Sequence, residues 1–165
     1  MCPEQHGGWT LDPASNDDLD ELMTWFPDAR SVDVWGGPGF RYPFTPATFR
    51  EDCQVELMDC YALHTEAGTL AAFGQSYERS GRGHLARLIA NPAMRCQGAG
   101  RQLIRMMVAS LHERHAYDEY SLFVYRDNIP ALRCYRALGF EVDDYPPDAA
   151  MRDLCHFLTR RGRIN

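Results

Sequence analysis

The stretch HLARLIANPAMRCQGAGRQLIRMMVASL, residues 84–111, sets the architecture of this chain. Its first part, His84 to Ala90, reads as a strand. Asn91-Pro92 stops that strand, because proline lacks the ladder donor. Arg95-Cys96-Gln97-Gly98-Ala99-Gly100 then forms a glycine-punctuated turn. From there Leu103, Ile104, Met107, Val108 and Leu111 recur at helical spacing, with Arg101, Arg105 and Glu113 on the other face. Glycine lets a ligand approach the backbone closely. A helix start adds unpaired N–H groups and the positive end of a dipole. The turn is therefore read as a pyrophosphate site.

Upstream, residues 1–8 are polar and read as loose. Trp9 to Leu11 is a short strand, and Pro13 to Trp25 a helix capped by Asp12 or Ser15. Asp28 to Trp35 reads as a second helix. Trp35 to Phe44 packs three glycines, two prolines and four aromatics into ten residues, so it reads as a loop. Thr45 and Pro46 open a helix to about Cys53. Val55 to His64, Thr69 to Arg79 and His84 to Ala90 form a strand meander, turned at Glu66-Ala67-Gly68 and at 80–83. After the long helix come a strand at Tyr120–Tyr125, a helix at Pro130–Leu138 ended by Gly139, a strand from Phe140, a turn at Tyr145-Pro146-Pro147, and a last strand at Asp153–Arg160. The order predicts a single α/β or α+β domain over residues 1–165, with a mixed sheet flanked by helices.

Composition narrows the function. With 165 residues, 45% hydrophobic and 24% charged, the chain can bury a real core. The net charge of −6, without a basic run, argues against nucleic-acid and anionic-membrane partners. No apolar run reaches the ~20 residues needed to span a bilayer. The six cysteines form no CxxC, the histidines do not pair with them at zinc-ligand intervals, and no leader is read before them. The expectation is free thiols in a reducing cytoplasm, and no metal site. The turn also lacks the G-x-G-x-x-G of a dinucleotide fold and the G-K-S/T of a P-loop.

The sequence resembles GCN5-related N-acetyltransferases (GNAT). Arg95-Cys96-Gln97-Gly98-Ala99-Gly100 is similar to that family's Q/R-x-x-G-x-G/A signature, after a strand ending Leu88-Ile89-Ala90. Asn128-Ile-Pro-Ala131-Leu-Arg-Cys-Tyr135-Arg-Ala-Leu-Gly139-Phe140 resembles its second block, N-x-x-A-x-x-x-Y-x-x-x-G-F. Together they cover about residues 69–141, the cofactor core. The resemblance implies a mostly antiparallel sheet of six or seven strands, splayed between the strands near 84–90 and 120–125. It implies acetyl-CoA as cosubstrate, with pantetheine paired to the backbone of Leu88, Ile89 and Ala90 like an added strand. Pyrophosphate would lie on the turn from Arg95 through Cys96, Gln97, Gly98, Ala99 and Gly100 to Arg101, with Asn128 reaching the arm from the other side. It implies Tyr135 as general acid, and many relatives pair through edge strands, so a homodimer is compatible with it.

The chemistry this resemblance implies is direct transfer of acetyl to a primary amine of a small molecule or peptide, in a ternary complex. An alkylamine has a pKa of ~10, so a proton must be removed, directly or through water. The tetrahedral oxyanion needs a preorganised N–H, worth roughly 3–4 kcal/mol, and Leu88 N–H is the candidate. His84 and Glu78 compete as base. Arg87, opposite His84 if the strand alternates cleanly, and the aromatics Trp35, Phe40 and Tyr42 are candidate walls of the acceptor pocket. Cys96 and Cys134 carry no sign of a covalent intermediate. A non-catalytic acyl-CoA-binding or sensing domain, or a scaffold that kept the fold, are the readings from other classes. Polyamine, antibiotic and ribosomal-protein acceptors remain open.

Overall fold

The computed structural model describes residues 7–164; the first six residues of the 1–8 segment, Cys2 among them, lie outside these. Seven strands form one sheet in the order β1-β2-β3-β4-β5-β7-β6. In chain order the elements are β1 (Thr10–Pro13), α1 (Asn16–Met23), α2 (Ala29–Gly36), α3 (Pro46–Cys53), β2 (Asp59–His64), β3 (Leu70–Arg79) and β4 (Arg82–Ala90). A 3₁₀ turn at Pro92–Met94 leads to α4 (Ala99–His115), β5 (Glu119–Tyr125), α5 (Ile129–Ala137), β6 (Glu141–Asp143) and β7 (Cys155–Arg161). Neighbouring strands are antiparallel except β4 and β5, which are parallel and joined by α4. This is the mixed, mostly antiparallel α/β architecture expected.

Several boundaries shift for local reasons. The first helix starts at Asn16, not Pro13. Ser15 caps it in a reciprocal box with Asp18, and Pro13 closes the edge strand β1, where no ladder donor is missed. Asp28 with Ser31 and Thr45 with Thr48 make equivalent boxes on α2 and α3. Trp35 and Gly36 belong to the last turn of α2 rather than to the loop. The strand read from Val55 begins at Asp59. Gln54, in the left-handed region at φ 54°, ends α3, and its carbonyl accepts from Leu57 and Met58 N–H in a turn. The last strand starts at Cys155, two residues later than read.

Each sheet face carries its own core. On one side α4 and α5 bury Leu103, Met107, Val108, Leu132 and Phe140 against Leu63, Leu85 and Leu122. On the other, α1–α3 bury Leu22, Val32 and Phe49 against Ala62, Leu70 and Phe73. Trp35 centres that second core, stacked on Phe49 at 5.9 Å and tilted on Phe26 at 4.7 Å. α1 is tied down by Asp18, which accepts from Ser15 N–H and lies 2.7 Å from the His64 ring.

The sheet opens in its middle. β4 and β5 pair only at Gly83–Leu85 against Tyr120–Leu122, and beyond Leu85 they part. A bulge in β4 follows directly. Between Phe73↔Ile89 and Gln75↔Ala86 a single residue of β3, Gly74, faces two of β4, Arg87 and Leu88. Arg87 takes φ 48°. Space at Gly74 is tight: a Cβ there would meet Leu88 Cδ2 and Met107 Sδ, each at 2.8 Å, so these side-chain ends would have to shift. Gly74→Ala should therefore cost about 1–3 kcal/mol by overpacking. Thermal unfolding should show the loss; a melt unchanged from wild type would contradict the close approach.

Candidate active site

The opening between β4 and β5 is a cleft of about 350 Å³ that runs through the sheet. The bulge sorts its walls. On the α4 and α5 side stand Leu85, Leu88, Val124, Asn128 and Tyr135. On the α2 and α3 side stand Trp35, Met58, Tyr77, His84, Arg87, Phe123 and Tyr125. The clean alternation that put Arg87 opposite His84 fails, because the extra residue returns Arg87 to the face of His84. Both lie with Gln75 and Tyr77: Arg87 bonds Gln75, and His84 packs on Tyr77 at 4.9 Å.

Arg87 holds the floor of this half. Its guanidinium donates to the carbonyls of Gly36 (3.4 Å), Asp52 (3.2 Å) and Cys53 (3.2 Å) and to Gln75 Oε1 (3.0 Å). Its own carbonyl accepts from the Trp35 indole N–H at 2.8 Å. The ends of α2 and α3 are thus fastened to the bulge, and every one of these partners is formally neutral.

His84 is 2% exposed. Its Nδ1 lies 2.8 Å from Ser121 Oγ, and its ring packs against Phe123 at 5.0 Å. Burial, followed by the Arg79 charge, pushes the imidazole down to about 3, so it is neutral at neutral pH. Tyr135 lines the opposite wall, and burial, with a smaller push from Cys134, moves its phenol well above the usual range. It stays protonated and has no hydrogen-bond partner among the described residues. Asn128 caps α5 through Oδ1, which accepts from Ala131 N–H at 3.4 Å.

The turn at 95–101 has the geometry of an anion site. Unlike α1–α3, the 17-residue α4 has no side-chain cap, and no acid sits in its first turn. Its N-cap, Gly98, sits at φ 83°. A Cβ on Gly98 or Gly100 would meet nothing within 4 Å, so the surface above them is open. Arg95 and Arg101 are exposed beside it. The first N–H groups of α4 and its dipole point into this open space.

Other expected residues lie elsewhere. Glu78 is exposed at the β3–β4 turn, where Oε1 accepts from Gly81 N–H at 2.6 Å, and it does not line the cleft. Phe40 packs on Trp35 and Phe49 inside the second core, and Tyr42 donates to Pro27 O at 3.2 Å; neither reaches the cleft. Conversely, Tyr77, Phe123, Tyr125 and Met58 line it without having been singled out. The alternation in YSLFVY puts Phe123 and Tyr125 on the face of Ser121, a signal available in the sequence. Among the described residues no three His, Cys, Asp or Glu side chains gather as metal ligands, and no helix is long and apolar enough to cross a membrane.

A family model for the acetyltransferase (GNAT) family matches residues 19–140. The chain belongs to that family. It is thereby an acetyl-CoA-dependent N-acetyltransferase, and the motif pair that carried the resemblance lies within the matched region. Solved structures share the fold. A spermidine N-acetyltransferase from Vibrio cholerae, in complex with CoA and spermine, is 13% identical with TM-score 0.73, over 94% of this chain and 96% of that one. The aminoglycoside acetyltransferase AAC(6')-Ib with coenzyme A is 22% identical with TM-score 0.70, over 93% and 94%. The ribosomal-protein-S18-alanine N-acetyltransferase from Escherichia coli is 20% identical with TM-score 0.65, over 95% and 96%.

The open ground above Gly100 gives a clean test. Gly100→Val should leave stability within about 1 kcal/mol of wild type, since nothing is displaced and valine is no worse in a helix. It should abolish most of the thermal stabilisation given by CoA. Undiminished stabilisation would remove the turn from the binding site.

Proposed function

We propose that this chain transfers the acetyl group of acetyl-CoA to a primary amine of a small molecule or peptide, by direct attack in a ternary complex within one domain. The observation that carries this is the opening in the sheet, with an unpaired backbone edge on one side and an uncapped helix at its end. In this reading the N–H groups from Gln97 to Arg101 hold the pyrophosphate, with Arg95 and Cys96 beside it. The pantetheine arm pairs with Leu88, Ile89 and Ala90 and meets Asn128 across the gap. Leu88 N–H, at the bulge, receives the thioester oxygen and stabilises the oxyanion.

The proton balance follows from the two side chains facing the gap. Attack by a neutral amine forms the C–N bond and leaves positive charge on nitrogen. As the C–S bond breaks, that proton must reach the sulfur. A thiol has a pKa near ~8.5, below the ~10 of a tyrosine phenol, so Tyr135 cannot give up its proton outright at a profit. It works as a donor to the leaving sulfur while a proton is returned to it from the former amine. His84, neutral, takes part as a hydrogen-bonding ring facing the amine or a water. Burial makes it a weak proton acceptor, so the amine enters already free. The five described cysteines are free thiols, which supports a cytoplasmic setting. A homodimer through an edge strand belongs to the same proposal, and gel filtration reads it.

Two outcomes are expected. Tyr135→Phe should lower kcat about 10²-fold or more while the dissociation constant for acetyl-CoA changes little; equal losses in both would make Tyr135 a packing residue. With an alkylamine acceptor, kcat/KM should rise about tenfold per unit from pH 7 to 9, as the free-amine fraction grows. No inflection is expected near 6.5, because burial lowers the His84 value and the ring is already deprotonated throughout that range. A plateau setting in near pH 7 would instead identify an enzyme group that takes the proton.

A further inference from the structure

The acceptor half of the cleft has an unusual charge pattern for a site that receives amines. Its lining contains no Asp or Glu. The one charged side chain in it is Arg87. Outside the lining, Arg79, paired with Asp148, lies over the Phe123 ring at 5.2 Å. The nearest acids are spoken for or outside: Asp52 pairs with Arg41 at 2.9 Å and Asp148 with Arg79 at 3.1 Å. Asp33 and Asp127 are exposed at the Tyr125 end, where solvent screens them. The rest of the wall is flat and apolar: Trp35, Tyr77, Phe123, Tyr125 and Met58.

A polycation needs carboxylates to replace the water around each ammonium it does not use. Here its spare charges would meet the Arg87 guanidinium and no carboxylate. An apolar ring, by contrast, removes its own surface and that of four aromatics from water, at roughly 25 cal/mol per Å². Building on the acetyl-transfer reading above, we propose that the acceptor is a monoamine carried on an apolar, ring-sized body, and that polyamines and aminoglycosides are disfavoured. Phe123 and Tyr77 are then specificity-determining walls, and Arg87 both shapes the floor and repels a second positive charge.

The test is thiol release from acetyl-CoA with 2-phenylethylamine, cyclohexylmethylamine, spermidine, kanamycin and an alanine-terminated peptide at one pH. The chain contains no lysine, so release without added amine reports hydrolysis rather than acylation of its own ε-amines. The two ring-bearing monoamines should exceed the other acceptors in kcat/KM by at least about tenfold. Phe123→Leu should narrow that lead severalfold, with CoA-induced stabilisation retained as proof of folding. A kcat/KM for spermidine, kanamycin or the peptide that equals or exceeds the monoamines would overturn this inference and leave acetyl transfer standing. No thiol release with any amine, despite bound acetyl-CoA, would overturn both.

Discussion

One backbone irregularity holds this molecule together as a functional object: two residues of β4, Arg87 and Leu88, facing the single Gly74 of β3. A non-glycine residue in the left-handed region costs about 1–2 kcal/mol. Arg87 stays there because both its ends are held, its carbonyl by the Trp35 indole and its guanidinium by three helix-end carbonyls and Gln75. The aromatic core under α1–α3 therefore braces the bulge. The bulge turns Leu88 toward Met107 and sends Arg87 to the opposite face, and just before it β4 parts from β5.

The consequence is a division of labour across one sheet. The α4 side offers bare backbone and an uncapped helix N-terminus, which suit a phosphorylated, extended cofactor. The α2–α3 side offers aromatic rings, one well-tied guanidinium and a neutral imidazole. Charge is kept low where the amine must be uncharged to react. In the proposed reaction such a site would gain rate by orienting a free amine and stabilising the oxyanion rather than by supplying a strong base.

Much of this was legible in the sequence, for identifiable reasons. The G-x-G turn and the N-x-x-A-x-x-x-Y-x-x-x-G-F block are local patterns whose residue types are tied to backbone geometry, so Gly98, Asn128 and Gly139 fell where expected. Caps such as Thr45-Pro46 marked α3. The relation of Arg87 to His84 was missed because a bulge changes parity without leaving a mark in the hydrophobic pattern. Phe40 and Tyr42 were misjudged because aromatic residues in a loop read alike whether they line a cleft or fill a core. Glu78 was drawn to the site by its strand and removed from it by alternation, since it follows Tyr77 and faces away. The acceptor walls depended on which strands came together, β3 with β4 and β4 with β5, and no short motif encodes that.

The account rests on the opening at Leu88 being the place where the thioester lies. A crystal structure with acetyl-CoA bound measures this directly. The expected result is pantetheine between β4 and β5, pyrophosphate at the start of α4, and the thioester oxygen about 3 Å from Leu88 N. Acetyl-CoA bound outside this opening, or β4 and β5 zipped together with Leu88 N–H paired into the sheet, would contradict it.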